Sequence, residues 1–148
     1  MHFVTGGAFN GKLAWVYSYY QLTREDEYVC YNGYKQQELK IDALSDKQIV
    51  IINGIEQYVK AVLEKGLSHK AFLQQLAEFI QWEKEEIHRK LVLIGTDMSK
   101  GVVPIDRFAR TWRDEVGWCY QQLMKQADVA HIIWYQIPQV LKIKEELR

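Results

Sequence analysis

The stretch that decides the fold is FVTGGAFNGKLAW, residues 3–15. A short apolar strand over residues 2–5 leads into a glycine-rich loop, and an amphipathic helix starts near Gly11. Gly6, Gly11 and Lys12 fit the G-x-x-x-x-G-K pattern of a phosphate-binding loop. In such a loop, backbone N–H groups and the helix N-terminus bind phosphate oxygens, and the lysine reaches the β- and γ-phosphates. The stretch therefore predicts a nucleotide site directly after the first strand.

The residue after the lysine departs from this pattern. A phosphate-binding loop has Ser or Thr there, whose hydroxyl holds Mg²⁺, whereas this chain has Leu13. A leucine side chain cannot ligate a metal, but its backbone N–H can still bind phosphate. We therefore expect the change to weaken metal-assisted catalysis more than nucleotide binding. A glycine turn with an incidental lysine is the alternative interpretation.

Strands and helices alternate along the rest of the chain. Continuous apolar runs predict buried strands, and apolar residues spaced three and four apart predict helices. The later strands are predicted at residues 27–32, 47–52, 90–95 and 129–135, with an edge strand at 139–143. The later helices are predicted at residues 55–65, 69–90 and 105–126. This order predicts an α/β fold with a mostly parallel sheet, as a single domain over residues 1–148.

Ligands of such sheets bind at the carboxyl ends of the strands. Three segments meet this rule, namely the loop 6–12, the residues after Ile52, and the loop 95–104. The sequence therefore predicts that these three segments together form the site.

Composition and charge exclude several classes of protein. The formal net charge is zero, whereas a protein that binds nucleic acid usually has a basic excess. No apolar run approaches 18 residues, and the chain enters a strand at once without the pattern of a signal peptide. We therefore expect no nucleic-acid partner, no membrane span and a cytoplasmic location. The four histidines, at positions 2, 69, 88 and 131, do not have the spacing of metal ligands. The two cysteines, Cys30 and Cys119, are expected to be buried free thiols.

The second half of the chain carries a more specific signature. It reads LVLIGTDMSKGVVPIDRFARTWRDEVGWCYQQLMKQADVAHIIW from residue 91, with a T-D, a G-x-V-P, an R-x-x-R-x-x-R-D and a Q-x-L…A-D motif. The third motif comprises Arg107, Arg110, Arg113 and Asp114. Together with the glycine loop, this resembles the bifunctional adenosylcobinamide kinase / adenosylcobinamide-phosphate guanylyltransferase family of cobalamin biosynthesis.

The resemblance implies a P-loop NTPase-like three-layer fold, often a homotrimer, with ATP or GTP bound at the loop. It also implies two reactions: phosphorylation of a hydroxyl of adenosylcobinamide, and GMP transfer through a histidine between the second and third strands. Here residues 33–46 contain no histidine, and Asn53 stands where the family has an acidic residue. The kinase step is therefore favoured over guanylyl transfer, because covalent transfer needs its nucleophile. Mg²⁺ could take part, but its protein ligands are replaced.

The candidate site residues follow from the loop and from the resemblance. The predicted nucleotide-binding residues are Gly6, Gly7, Ala8, Phe9, Asn10, Gly11, Lys12, Leu13 and Asn53. Lys12 and Asp97 are the predicted catalytic residues, with Asp97 taking the position of a family glutamate. Arg107 and Arg110 are candidates for phosphate contacts, and no metal ligand is assigned. The alternatives are a relative that binds nucleotide or a partner protein without turnover, and an apolar interaction scaffold suggested by the five tryptophans.

Overall fold

The computed structural model describes residues 1–44, 47–99 and 101–144. The predicted connection 34–46, the loop 95–104 and the C-terminal end therefore lie partly outside the described residues. The strands are β1 (His2–Gly6), β2 (Tyr28–Asn32), β3 (Ile49–Asn53), β4 (Lys90–Thr96), β5 (Val129–Trp134) and β6 (Ile137–Ile143). The helices are α1 (Lys12–Tyr19), α2 (Ile55–Glu64), α3 (His69–Glu85) and α4 (Arg107–Gln126). Short 3₁₀ turns occupy Glu25–Glu27, Gly33–Lys35 and Ile41–Ala43.

The six strands form one sheet in the order β2-β3-β4-β1-β5-β6. Strands β1 to β5 are parallel, and β6 pairs antiparallel with β5 at the edge. The predicted α/β fold with a mostly parallel sheet is confirmed, and it is consistent with a P-loop NTPase-like fold. The parallel arrangement brings the ends of β1, β3 and β4 to one edge of the sheet, where the loop 7–11 lies.

Alternate residues of the central strands face two different apolar clusters, because side chains alternate across a strand. On one face, Phe3, Ile52 and Leu93 pack with residues of α2, α3 and α4. On the other face, Val4 and Ile51 pack with residues from α1 and its surroundings. The sheet therefore lies between a layer of three helices and a layer formed by α1. Strands β3 and β4 are buried on both faces, which is why they read as continuous apolar runs.

Three predicted boundaries differ from the structure. Helix α3 ends at Glu85 rather than near residue 90, and Ile87, which lies in the predicted but not in the observed helix, is 93% exposed. Helix α4 begins at Arg107, where the side chain of Asp106 accepts a hydrogen bond from the backbone N–H of Ala109. Strand β6 starts at Ile137 and includes Pro138, which an edge strand tolerates because one side of its backbone has no partner strand.

Within the residues that the structure describes, none of the helices combines the length and the apolar character needed to cross a membrane.

Candidate functional site

The glycine loop leaves β1 in a conformation that requires glycine. Gly6 has a φ of 149°, and a Cβ added there would lie 2.3 Å from the carbonyl oxygen of Ile133. Gly11, which precedes α1, is in the left-handed region with a φ of 78°. A side chain at either position would strain the backbone or collide with a neighbour. The sequence spacing of these glycines therefore corresponds to two backbone constraints at the ends of one loop.

Lys12 reaches back across this loop. Its Nζ donates a hydrogen bond to the carbonyl oxygen of Gly7 at 2.9 Å, and its side chain is buried although it begins α1. Burial lowers the pKa of Lys12, and the negative charge of Glu56 opposes that shift. The ammonium group therefore lies inside the curve of the loop, and the charge of the Glu56 carboxylate favours its protonated form.

The turn between β5 and β6 packs against the loop. The backbone N–H of Gln136 donates to the carbonyl oxygen of Asn10 at 2.8 Å. The Gln136 side chain lies so close to Gly11 that an added Cβ would be 2.4 Å from its Cγ. Tyr135 and Gln136 both have positive φ, as a tight hairpin turn between two strands requires. This contact was not predicted, because the two segments are far apart in the chain.

The remaining loop residues divide between solvent and core. Ala8 and Phe9 are exposed, and Phe9 has a φ of 62° that is uncommon for a residue with a side chain. Asn10 is buried, with its amide nitrogen close to Gly7. Leu13 is partly buried and packs against the apolar cluster on the α1 face of the sheet. The side chain that replaces the metal-binding hydroxyl thus contributes to the core.

A second group of site residues follows β3. Asn53 is buried at the end of this strand, and it shares a face with Ile51 and α1 because strand residues alternate. Gly54 has a φ of 84° and opens α2. The next polar residue, Glu56, is 3% exposed. Its Oε1 accepts the backbone N–H of Thr96 at 3.0 Å, and its Oε2 accepts the hydroxyl of Tyr34.

The exit from β4 supplies Asp97. Its backbone N–H donates to the carbonyl oxygen of Gly6 at 2.8 Å, so this residue lies beside the start of the loop. Its Oδ1 accepts hydrogen bonds from the backbone N–H and the hydroxyl of Ser99, at 2.9 and 2.6 Å. Arg107 and Arg110 are exposed on the first turns of α4. Within the described part of the chain, neither arginine forms an ion pair with Asp106 or Asp114.

The structure thus brings the loop 6–12, Asn53 and Asp97 to the same edge of the sheet, and it adds Tyr34 and Glu56, which sequence reasoning missed. Glu56 had a recognisable signal, since it is the first charged residue after the apolar run 49–52. Tyr34 had no such signal in the sequence, because its position depends on how the 3₁₀ turn Gly33–Lys35 packs on Gly54. Two surface clefts of about 660 and 550 Å³ lie elsewhere, beside α2 and α3, and contain none of these residues.

The residues of the candidate site do not include the side chains that usually hold Mg²⁺ beside a phosphate-binding loop. Leu13 packs into the core, Asn53 offers a neutral amide, and no group of three His, Cys, Asp or Glu side chains among the described residues has metal-ligand geometry. Three of the four histidines have other contacts. His69 hydrogen-bonds Glu115 of α4, and His2 Nε2 lies 2.8 Å from His131 Nδ1.

The chain was compared with curated proteins and with models of protein families. No curated protein matches the chain. The family model described as "Cobinamide kinase / cobinamide phosphate guanyltransferase" matches residues 18–141, which is most of the chain and begins after the glycine loop. This match is therefore independent of the loop that first suggested a nucleotide site. The family uses nucleoside triphosphates and acts in cobalamin biosynthesis, and the chain belongs to this cobinamide kinase / cobinamide phosphate guanyltransferase family.

Proposed function

We propose that this protein binds a purine nucleoside triphosphate, ATP or GTP, at residues 6–13 and transfers its γ-phosphoryl group to a hydroxyl of adenosylcobinamide. The observation that carries this proposal is the buried Lys12, whose Nζ lies 2.9 Å from the Gly7 carbonyl inside a glycine loop. A γ-phosphate bound there would replace the Gly7 carbonyl oxygen as the hydrogen-bond partner of the Lys12 ammonium group. Family membership supports the acceptor.

The transfer step requires one bond to form and one to break. The acceptor hydroxyl oxygen bonds to the γ-phosphorus while the bond from this phosphorus to the β,γ-bridging oxygen breaks, and the nucleoside diphosphate leaves. Lys12 and the loop N–H groups would stabilise the negative charge on the transferring group. Guanylyl transfer is not proposed, since the described part of the segment between β2 and β3 offers no histidine nucleophile.

A second candidate function has its own support. Leu13 packs into the apolar cluster and Asn53 replaces a carboxylate, so two groups that would place a metal are missing. A relative that binds nucleotide or a partner protein without turnover would keep the loop and lose these groups. It predicts nucleotide binding that is nearly independent of Mg²⁺. Both candidate functions are compatible with a homo-oligomer, which is proposed from the family resemblance.

Calorimetric titration with ATP and GTP, each with and without Mg²⁺, tests the binding half of the proposal. Lys12→Met should weaken binding at least tenfold, because a hydrogen bond to a charged group contributes about 1.5–3 kcal/mol. Lys84→Met, an exposed lysine on α3, is the matched control and should bind like the wild type. Equal affinities for the two variants would contradict the assignment of the loop.

Incubation with adenosylcobinamide, ATP or GTP and Mg²⁺, followed by mass spectrometry, tests the chemical half. The kinase proposal expects cobinamide phosphate in amounts that fall sharply with Lys12→Met. Nucleotide binding without this product would instead support the relative that lacks turnover. No binding of any nucleotide would leave an interaction scaffold as the remaining interpretation.

A further inference from the structure

Glu56 is a buried carboxylate beside the loop that the proposed function does not yet use. An acidic residue in the first turn of a helix ordinarily interacts with the N–H groups of that turn. Glu56 instead directs its oxygens away from α2, one to the backbone N–H of Thr96 on β4 and one to the hydroxyl of Tyr34. Burying a carboxylate is costly unless it is hydrogen-bonded, and each oxygen of Glu56 has a partner in another element of the fold.

The hydroxyl of Tyr34 connects this carboxylate to the surface. Its oxygen lies 3.1 Å from Thr96 Oγ1 as well as bonding to Glu56, while Tyr34 as a whole is 51% exposed. The ring lies over Gly54, where an added Cβ would be 3.1 Å from its Cε2. Burial of the hydroxyl and its hydrogen bond to Glu56 raise the pKa of Tyr34 to about 12. The phenol therefore stays protonated near neutral pH and donates to Glu56.

The pair lies next to the phosphate loop. Thr96, which contacts both members of the pair, is the register partner of Gly6 in the neighbouring strand. The charge of Glu56 also acts on Lys12. Trp112 of α4 fixes the backbone of Glu56, because its Nε1–H donates to the Glu56 carbonyl oxygen at 2.8 Å. A carboxylate and a phenol are thus held at the end of β4, next to the start of the loop that carries Lys12.

We propose that Tyr34 and Glu56 form a proton relay that takes the proton of the phosphoryl-acceptor hydroxyl. This inference rests on the proposed kinase function. As the acceptor oxygen bonds to the γ-phosphorus, its proton passes to the Tyr34 oxygen and the Tyr34 proton passes to Glu56 Oε2. The bond to the bridging oxygen breaks and the nucleoside diphosphate leaves with that bond's electron pair. Tyr34 ends neutral, Glu56 ends as a carboxylic acid, and release of its proton to solvent restores the pair.

Asp97 is the competing proton acceptor, since it was predicted from the sequence. Its Oδ1 already accepts two hydrogen bonds from Ser99, which is a common arrangement for an aspartate that shapes a loop. Among the residues that the structure describes, each oxygen of Glu56 accepts a single hydrogen bond, and one of these bonds comes from a group that can itself exchange a proton. In the proposed relay, Glu56 therefore receives the proton, and Asp97 stabilises the loop that follows β4.

The test compares Tyr34→Phe and Glu56→Gln with the wild type in the cobinamide phosphorylation assay and in nucleotide titrations. Tyr34→Phe removes only the hydroxyl, and we expect kcat to fall about 100-fold or more while nucleotide Kd changes less than threefold. Glu56→Gln should lower kcat similarly, and the double variant should be no slower than the slower single variant. Tyr58→Phe is the matched control, because its hydroxyl donates to the Gln37 carbonyl outside the relay.

The outcomes separate the two proposals. An active wild type whose Tyr34→Phe variant keeps its kcat overturns the relay and leaves the kinase function standing. Losses that multiply in the double variant, or that appear only in nucleotide Kd, also overturn the relay. A wild type that binds nucleotide and phosphorylates no cobinamide overturns the kinase function and the relay with it. If Glu56→Gln fails to fold, Tyr34→Phe still decides between these results.

Discussion

At the scale of single residues, Lys12 and Leu13 have opposite environments although they are neighbours. Lys12 turns into the loop and donates to the Gly7 carbonyl, whereas Leu13 packs with Val16 and its neighbours on the sheet. Successive helix residues point about 100° apart, so the first position can serve a ligand while the second serves the core. Leu13 therefore contributes to the core, and this contribution is separate from its expected effect on metal binding.

Leu13→Ser should have two measurable effects. The free energy of unfolding should fall by about 1–2 kcal/mol, because part of a leucine side chain leaves the apolar cluster. The affinity for ATP should become more dependent on Mg²⁺, because a hydroxyl now follows the lysine. Denaturant unfolding and calorimetry measure the two effects, with Leu13→Met as the control that keeps the apolar volume. A variant of unchanged stability would show that Leu13 does not contribute to the core.

At the scale of elements, the site depends on close contacts between neighbouring strands and on the docking of α4. Gly6 lets the end of β1 approach the Ile133 backbone of β5, and Asp97 then bonds to the Gly6 carbonyl. The backbone carbonyl of Glu56 is bonded by Trp112, so α4 is fixed to the start of α2. These contacts bring three loops to one edge of the sheet, although each loop belongs to a different βα unit.

Replacement of two glycines by alanine should give opposite results. Gly6→Ala should lower the free energy of unfolding by about 3 kcal/mol, because the Cβ meets backbone rather than a movable side chain and because the φ of 149° is strained. Gly117→Ala should raise it by about 0.5–1 kcal/mol, since Gly117 lies inside α4 and an added Cβ has nothing within 4 Å. Thermal unfolding of both variants measures this, and destabilisation by Gly117→Ala would contradict the packing described for α4.

At the scale of the whole molecule, the two faces of the sheet are covered unequally. Three helices cover one face, while the eight-residue α1 covers the centre of the other with a dense aromatic group. His2 lies in this group against Trp15, Tyr19 and Tyr20, and it hydrogen-bonds Tyr20 and His131. The thin layer thus contains a pair of histidine rings in place of purely apolar packing.

This pair should make the protein sensitive to acid. Burial, together with the nearby His131 and Lys90, lowers the pKa of His2 from 6.5 to about 3. The unfolded chain therefore binds more protons than the folded one between these values. The contribution of His2 to stability is complete above pH 6.5 and is lost as pH falls towards 3, at about 1.4 kcal/mol per pH unit.

Denaturant unfolding at pH 7, 6, 5 and 4 measures this dependence. His2→Phe should flatten the pH profile, whereas the exposed His88→Gln should leave its slope unchanged. Burial also lowers the pKa of His131, so a smaller slope should remain after His2 is replaced. A wild-type profile that is flat between pH 7 and 4 would contradict the buried neutral histidine pair.

Local pattern was enough to predict the fold and the loop. The apolar runs of β3 and β4 and the G-x-x-x-x-G-K spacing are signals between residues close in the chain, and such signals depend on backbone geometry and on burial of whole strands. The expected nucleotide contacts of the loop, the phosphate contacts of Arg107 and Arg110 and the role of Asp97 stay predictions, since each depends on a bound ligand.

The sequence by itself determined the α/β fold and the position of the glycine loop, because both depend on spacing along the chain, and its motifs resemble the family whose model matches residues 18–141. Only the tertiary structure decided which polar groups surround Lys12. Tyr34, Glu56 and Thr96 come from different parts of the chain and meet because β2, β3 and β4 end at one edge of a parallel sheet. Their shared hydrogen bonds depend on distances and burial in the folded chain, which spacing in the sequence does not specify.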